Sequence, residues 1–165
     1  MAQSSSFGWN AGHTMHEVSM SSFCCILCSN MGKITARFRL AVTPHIMTAV
    51  SIMNDTGSNA QMILPADLVA LQHNPATSPF NLNYAHTAGG MLYCLRVDIE
   101  VQIMGANGVA MTHWLPERAV VSPPGGIRLS GNAMRNHLYF ATAPGNTQLY
   151  VAAKKHGLTT LLPAV

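Results

Sequence analysis

The amino-acid sequence predicts a mostly β domain with one or two short helices. Residues 34–40 and 96–103 alternate apolar and polar side chains, which is the pattern of a strand with one buried face. Residues 46–53 are rich in apolar and β-branched side chains, which favour extended structure. Short clusters of glycine, proline and asparagine separate these runs, as is typical of turns between strands.

The same reading can be extended along the chain. The predicted strands are residues 34–40, 46–53, 61–64, 96–103, 109–115, 119–121, 138–141 and 148–152. Residues 65–71 begin with proline and predict one or two helical turns, and residues 132–138 indicate a second short helix. Residues 72–84 predict an irregular exposed loop, and residues 86–92 predict a hairpin with glycines at its tip.

Composition restricts the class of protein. A chain of 165 residues has the size of one domain, and roughly 70% of its unfolded surface can be buried at that length. Apolar residues make up 48% of the chain and charged residues only 9%, against about 25% in a typical protein. A surface so poor in charge indicates an oligomer or a larger assembly. No basic run longer than Lys154-Lys155 occurs, so we expect no nucleic-acid partner.

The first 32 residues differ in composition from the rest. They are rich in serine, glycine and histidine with weak periodicity, so we expect a mobile or disordered leader over residues 1–32 and one ordered domain over residues 33–165. Cys25 and Cys28 have CxxC spacing with two histidines upstream, so a zinc site is one interpretation. No second paired set follows, and reduced thiols of an intracellular protein are the other interpretation, which we adopt.

No segment predicts membrane insertion or secretion. No run of about 18 apolar residues occurs, and the N-terminus lacks a basic segment followed by a hydrophobic one. We therefore expect a cytoplasmic protein without a membrane partner.

One acidic residue interrupts the apolar strands. Asp55 follows the strand over residues 46–53 and begins an Asp55-Thr56-Gly57-Ser58 turn. An ionised carboxylate is costly between apolar strands unless it is hydrogen-bonded or functional. Gly57 can adopt positive φ and lets backbone or substrate come close. The turn is suited to presenting an acid, although an Asp-initiated turn with only local hydrogen bonds is the structural alternative.

Three elements follow one another in a recognisable order. They are the apolar strand into Asp55-Thr56-Gly57-Ser58, a glycine-rich hairpin at residues 87–90, and an apolar run over residues 127–131 that precedes a short helix. This order resembles the retropepsin-like aspartic proteases, the single-lobe enzymes of retroviruses and retroelements. The resemblance covers roughly residues 34–150 and implies a retroelement-derived, closed β-barrel or sandwich. It also implies that the apolar run over residues 127–131, with its glycine, packs behind the acid.

The resemblance also implies an activity. It implies an aspartic endopeptidase that acts on a polypeptide substrate as a homodimer, without cofactor or metal, because one acid per chain must meet its copy across a two-fold axis. The implied catalytic residues are Asp55, Thr56 and Gly57, and the implied substrate-binding residues are Ser58, Asn59, Ala88, Gly89 and Gly90. The last three would form the tip of a flap over the substrate.

Three positions depart from the family pattern. Asn54 replaces the apolar residue usual before the acid, and Asn59 stands where many viral relatives carry another aspartate. Asn132 stands where an arginine commonly follows the glycine, so both partners of that ion pair are absent together. The alternative function is a non-catalytic β-domain that serves dimerisation or peptide binding. A histidine-based hydrolase has less support, because no serine or cysteine lies in a Gly-x-Ser-x-Gly setting.

Overall fold

The computed structural model describes residues 24–27, 32–55, 58–87, 90–142, 149–152 and 157–158. Strands account for 52% of this part of the chain, and it contains two short helices. The strands are β1 (Cys24–Leu27), β2 (Lys33–Leu40), β3 (Thr43–Met53), β4 (Met62–Ile63), β5 (Asn81–Thr87), β6 (Gly90–Ile103), β7 (Leu115–Val121), β8 (Tyr139–Thr142) and β9 (Leu149–Ala152). The helices are α1 (Pro65–Ala70) and α2 (Asn132–His137). The prediction of a mostly β domain with one or two short helices is confirmed.

Two sheets organise these strands. The larger sheet has the order β3-β2-β6-β7-β4, with β5 attached to β6, and the smaller has the order β1-β9-β8. The four residues of β1 fall within the segment predicted as a leader, and they pair antiparallel with β9. Leu149 and Val151 of β9 belong to the main apolar cluster of the larger sheet, so the two sheets share one core.

The closed barrel implied by the family resemblance is wrong for the described residues, because the larger sheet is open. Its two end strands, β3 and β4, do not pair with each other in this part of the chain. β4 has only two residues and is occupied by parallel pairing with β7. The last residue of β3, Met53, pairs with Leu129, which lies outside the named strands. β3 and β4 therefore have no free edges of matching length that could pair with each other in this part of the chain.

Alternation in the sequence predicted the core correctly. The buried residues of β2 and β6 are the apolar positions of the two alternating runs: Ile34, Ala36, Phe38, Leu40, Val97, Ile99, Val101 and Ile103. Burying each large apolar side chain stabilises the fold by roughly 1.5–3 kcal/mol. β2 pairs with both β3 and β6, and β6 is the middle strand of the larger sheet.

Two predicted segments differ from the structure. β5 begins at Asn81, inside the predicted loop, and pairs with β6 from Asn81–Arg96 to Thr87–Gly90. The predicted strand over residues 109–115 is largely absent, and β7 begins only at Leu115. The reason is that the Thr112 hydroxyl accepts the Ile103 N–H, at 3.1 Å, so a side chain ends the ladder there.

Candidate active site

The described part of the chain includes half of the predicted site. Asp55, Ser58, Asn59 and Gly90 are described, whereas Thr56, Gly57, Ala88 and Gly89 lie outside the described residues. Asp55 lies two residues beyond the end of β3 and is half-buried. Gly90 begins β6 and pairs with Thr87, so the predicted hairpin over residues 86–92 is the end of a longer β5–β6 hairpin.

Both ends of the loop that carries Asp55 are tied to one segment, residues 128–130. Before the loop, Met53 N donates to Arg128 O and Met53 O accepts from Ser130 N, each at 2.9 Å. After the loop, Met62 N donates to Leu129 O, also at 2.9 Å. Residues 128–130 therefore lie between the strand that enters the loop and the strand that leaves it. The apolar run singled out in the sequence is brought to the predicted acid.

Gly131 is required by a close backbone contact. A Cβ atom at this position would lie 2.3 Å from Gln61 N and 2.9 Å from the carbonyl carbon of Ala60. Real Cβ atoms do not approach backbone atoms so closely, so the segment can pack against the loop only with glycine here. Gly131 is also the residue from which helix α2 begins.

The Ser130 hydroxyl makes three hydrogen bonds at the site. This side chain is buried, and its Oγ accepts the Asp55 N–H at 3.1 Å and an Arg135 Nη2–H at 3.2 Å. Its own proton points to Asn54 Oδ1, at a longer 3.4 Å. A hydroxyl has one donor and two acceptor sites, so all three are used. Asn54, which departs from the family pattern, therefore has a polar partner.

Ser58 is hydrogen-bonded to residues on both sides of it in the sequence. Ser58 N donates to the main-chain oxygen of Asp55 at 3.4 Å, and Ser58 Oγ donates to Ala60 O at 2.7 Å. Asn59 is exposed. The Ser58 carbonyl accepts a hydrogen bond from Arg135 Nη1 at 3.0 Å, which links the turn to helix α2.

Arg128 forms an ion pair beside the site, although the ion pair expected from the family pattern is absent. Arg128 makes a two-pronged ion pair with Asp67, with Nη2–Oδ1 at 2.7 Å and Nε–Oδ2 at 2.9 Å. Asp67 is buried and also accepts the Leu64 N–H at the start of α1, at 2.9 Å. The hydrogen bonds to Asp67 raise the pKa of the Arg128 guanidinium above its ordinary value, so the arginine stays charged.

Sequence reasoning missed Asp67, Arg128 and Arg135 as parts of the site. The family pattern has an arginine directly after the glycine and an aspartate at the place of residue 59, and this chain has asparagine at both positions. The usable signal was helical spacing: Arg135 lies four positions after Gly131, which is about one helical turn. A side chain one turn further along returns to the same side of the helix.

The β5–β6 hairpin carries an apolar face. Its register places five large side chains on one side, each between 43% and 68% exposed: Leu82, Tyr84, Met91, Tyr93 and Leu95. The rings of Tyr84 and Tyr93 lie 4.4 Å apart, and their hydroxyls are hydrogen-bonded at 2.8 Å. This bond, and to a smaller extent desolvation, raises the pKa of Tyr84 above its ordinary value.

Two other kinds of site are absent from the described residues. No group of three or more histidine, cysteine or acidic side chains could hold a metal ion in this part of the chain. The zinc interpretation is not decided by this, because Cys28 and both upstream histidines lie outside the described residues. Within the described ranges, neither helix has the length and apolarity needed to cross a membrane.

No protein-family model and no curated protein matches this chain.

Proposed function

We propose that this chain is an aspartic-type endopeptidase that acts as a homodimer, with one Asp55 from each copy in the catalytic pair. The observation that carries the proposal is the arrangement around the acid. Asp55 lies two residues beyond the end of β3, its loop pairs at both ends with residues 128–130, and Gly131 packs against the same loop. This is the packing of an apolar run and a glycine behind the acid that the family resemblance implies.

The ion pairs of the chain favour a second copy as the source of the second carboxyl group. The whole chain has only six acidic residues. Asp67, Asp98 and Glu100 are engaged in ion pairs with Arg128, Arg118 and Arg39, respectively. Glu117 lies on β7, and Glu17 lies outside the described residues. A two-carboxyl mechanism is met most simply by Asp55 from two chains related by a two-fold axis.

The mechanism follows from two close carboxyl groups that share one proton, as they do in the aspartic proteases. The ionised Asp55 takes a proton from a water molecule, and the water oxygen attacks the carbonyl carbon of the peptide bond. The protonated Asp55 of the other copy donates its proton to the carbonyl oxygen. The products are a neutral tetrahedral intermediate and a pair that still holds one proton, without a covalent bond to the enzyme.

Cleavage of a peptide library at about pH 5 tests this function, because the shared proton is present in mild acid. The expected result is cleavage that Asp55→Asn reduces by about 10²–10⁴-fold, since the amide keeps the shape but cannot exchange protons. Asp98→Asn is the matched control, because it makes the same chemical change in an exposed ion pair. It should cleave like the original chain.

Two results would count against the proposal. Unchanged cleavage by Asp55→Asn would show that another group performs the chemistry. A well-folded dimer that cleaves no peptide in the library would favour the alternative, a non-catalytic module for dimerisation or peptide binding.

A further inference from the structure

We propose that Arg135 is a positioning residue for the loop that carries Asp55. Its guanidinium holds the loop on both sides of the predicted catalytic tripeptide, through the Ser58 carbonyl and the Ser130 hydroxyl. The catalytic part of this inference depends on the proposed function, whereas the structural part does not.

The contacts form a short chain of hydrogen bonds. On one side, Arg135 Nη2 donates to Ser130 Oγ at 3.2 Å, and the same oxygen accepts the Asp55 N–H at 3.1 Å. On the other side, Arg135 Nη1 donates to Ser58 O at 3.0 Å. One rigid guanidinium plane therefore sets the separation between the amide of Asp55 and the carbonyl three residues later.

Arg135 also determines the direction of the Ser130 hydroxyl proton. Because Ser130 Oγ accepts hydrogen bonds from both Arg135 and Asp55, its only proton must point elsewhere, and Asn54 Oδ1 is the acceptor, at 3.4 Å. Without the arginine, the hydroxyl loses one of the three hydrogen bonds that fix its direction. The hydrogen bond from the Asp55 N–H to Ser130 Oγ is then less well fixed in direction.

Helix α2 holds the arginine in place. The helix begins from Gly131, whose backbone packs against Gln61 at the end of the loop. Arg135 lies in the last turn of α2, where the helix dipole favours a positive charge. The arginine and the glycine contact thus belong to one short element, so the helix and the acid loop keep one relative placement.

The test compares Arg135→Gln with Arg135→Lys, and uses Arg118→Gln as the matched control. Arg118 is also an arginine in a side-chain hydrogen bond, but its partner is the exposed Asp98. Two measurements are made: amide hydrogen exchange over residues 54–62, which needs no activity, and kcat and KM for a peptide that the original chain cleaves.

We expect Arg135→Gln to speed exchange over residues 54–62 by about tenfold, which corresponds to about 1.4 kcal/mol, because the shorter amide cannot keep both hydrogen bonds, to Ser58 O and to Ser130 Oγ. Exchange in β2 and β6 should stay unchanged. The kcat should fall by about 10–100-fold with KM changed less than about threefold, because the loss concerns geometry at the acid. Arg135→Lys should recover part of both losses, because an ammonium can reach one acceptor but lacks the fork. Arg118→Gln should change neither measurement.

Three outcomes would overturn the inference. One is unchanged exchange over residues 54–62 in Arg135→Gln. Another is faster exchange throughout the core with no recovery in Arg135→Lys, which would show a general structural role. The third is faster local exchange with normal kcat. If the original chain cleaves nothing, the proposed function fails, while the exchange measurement still decides whether Arg135 holds the loop.

Discussion

At the residue scale, Ser130 and Gly131 illustrate two different demands on adjacent positions. Ser130 must supply a hydroxyl, because three polar groups around the acid loop converge on its oxygen. Position 131 must lack a side chain, because backbone atoms of residues 60 and 61 lie where a Cβ atom would be. A serine followed by a glycine is therefore a specific solution for packing a segment against a loop.

Gly131→Ala should destabilise the protein by about 3 kcal/mol, the upper range for overpacking, since its Cβ meets backbone that cannot rotate away. Gly108→Ala is the contrasting control, because the space there is open and only the positive φ, +75°, penalises alanine. It should cost about 1 kcal/mol. Urea unfolding measures both free energies, and equal costs would contradict the close contact at Gly131.

Asp67 and Arg128 should show strong energetic coupling. Arg128→Met leaves the Asp67 carboxylate buried without its counter-ion, and should cost about 3 kcal/mol. Combining it with Asp67→Leu should cost at least about 1 kcal/mol less than the sum of the single changes, because the pair is then removed together. A double-mutant cycle by urea unfolding measures this coupling.

The exposed pair of Asp98 and Arg118 is the control for that cycle. Its side chains are 65% and 60% exposed, so its coupling should be below about 0.5 kcal/mol. Equal coupling in the two pairs would show that burial of Asp67 does not matter.

At the element scale, the strands that the sequence predicted best are those with one buried and one exposed face. β2 and β6 have a dry face and a wet face, so alternation revealed them. In β5, the alternation of Asn81-Leu82-Asn83-Tyr84 is short and both faces are exposed, so pairing with β6 defines the strand and burial of one face does not. The strand predicted over residues 109–115 is largely absent, because the sequence does not reveal that the Thr112 side chain takes a ladder hydrogen bond. β7 begins at Leu115, four residues before the strand that was predicted over residues 119–121.

The Tyr84–Tyr93 pair should make the hairpin sensitive to high pH. The hydrogen bond between Tyr84 and Tyr93 raises the pKa of Tyr84 above its ordinary value, because the bond favours the neutral, protonated form of Tyr84 in the folded state. The resulting stabilisation is present below about pH 10 and is lost as the pH rises through the raised pKa. Tyr93→Phe should bring the Tyr84 titration back towards its ordinary value.

NMR titration of ¹³C-labelled tyrosine measures this shift directly. Tyr139→Phe is the control, because Tyr139 lies on β8 in the other sheet and should leave the Tyr84 titration unchanged. An identical Tyr84 titration in the original chain and in Tyr93→Phe would contradict the role of the hydrogen bond.

At the scale of the whole molecule, the sequence predicted the fold class and the meeting of two distant segments, residues 53–62 and 127–131. It did not predict the open sheet, since closure depends on which strands find a partner of matching length. It also missed the side chains that hold the acid loop. Asp67, Arg128 and Arg135 are 12, 73 and 80 positions from Asp55, and only the folded chain shows their hydrogen bonds.

The central claim is that the active unit needs Asp55 from two chains. Chains with Asp55 and chains with Asp55→Asn can be mixed in denaturant, refolded together at constant total concentration, and assayed for peptide cleavage. If both acids are needed, activity follows the square of the fraction of original chains, because only dimers of two original chains are active. An equal mixture should retain about one quarter of the full activity. A value of about one half would mean that each chain acts on its own, and would contradict the shared site.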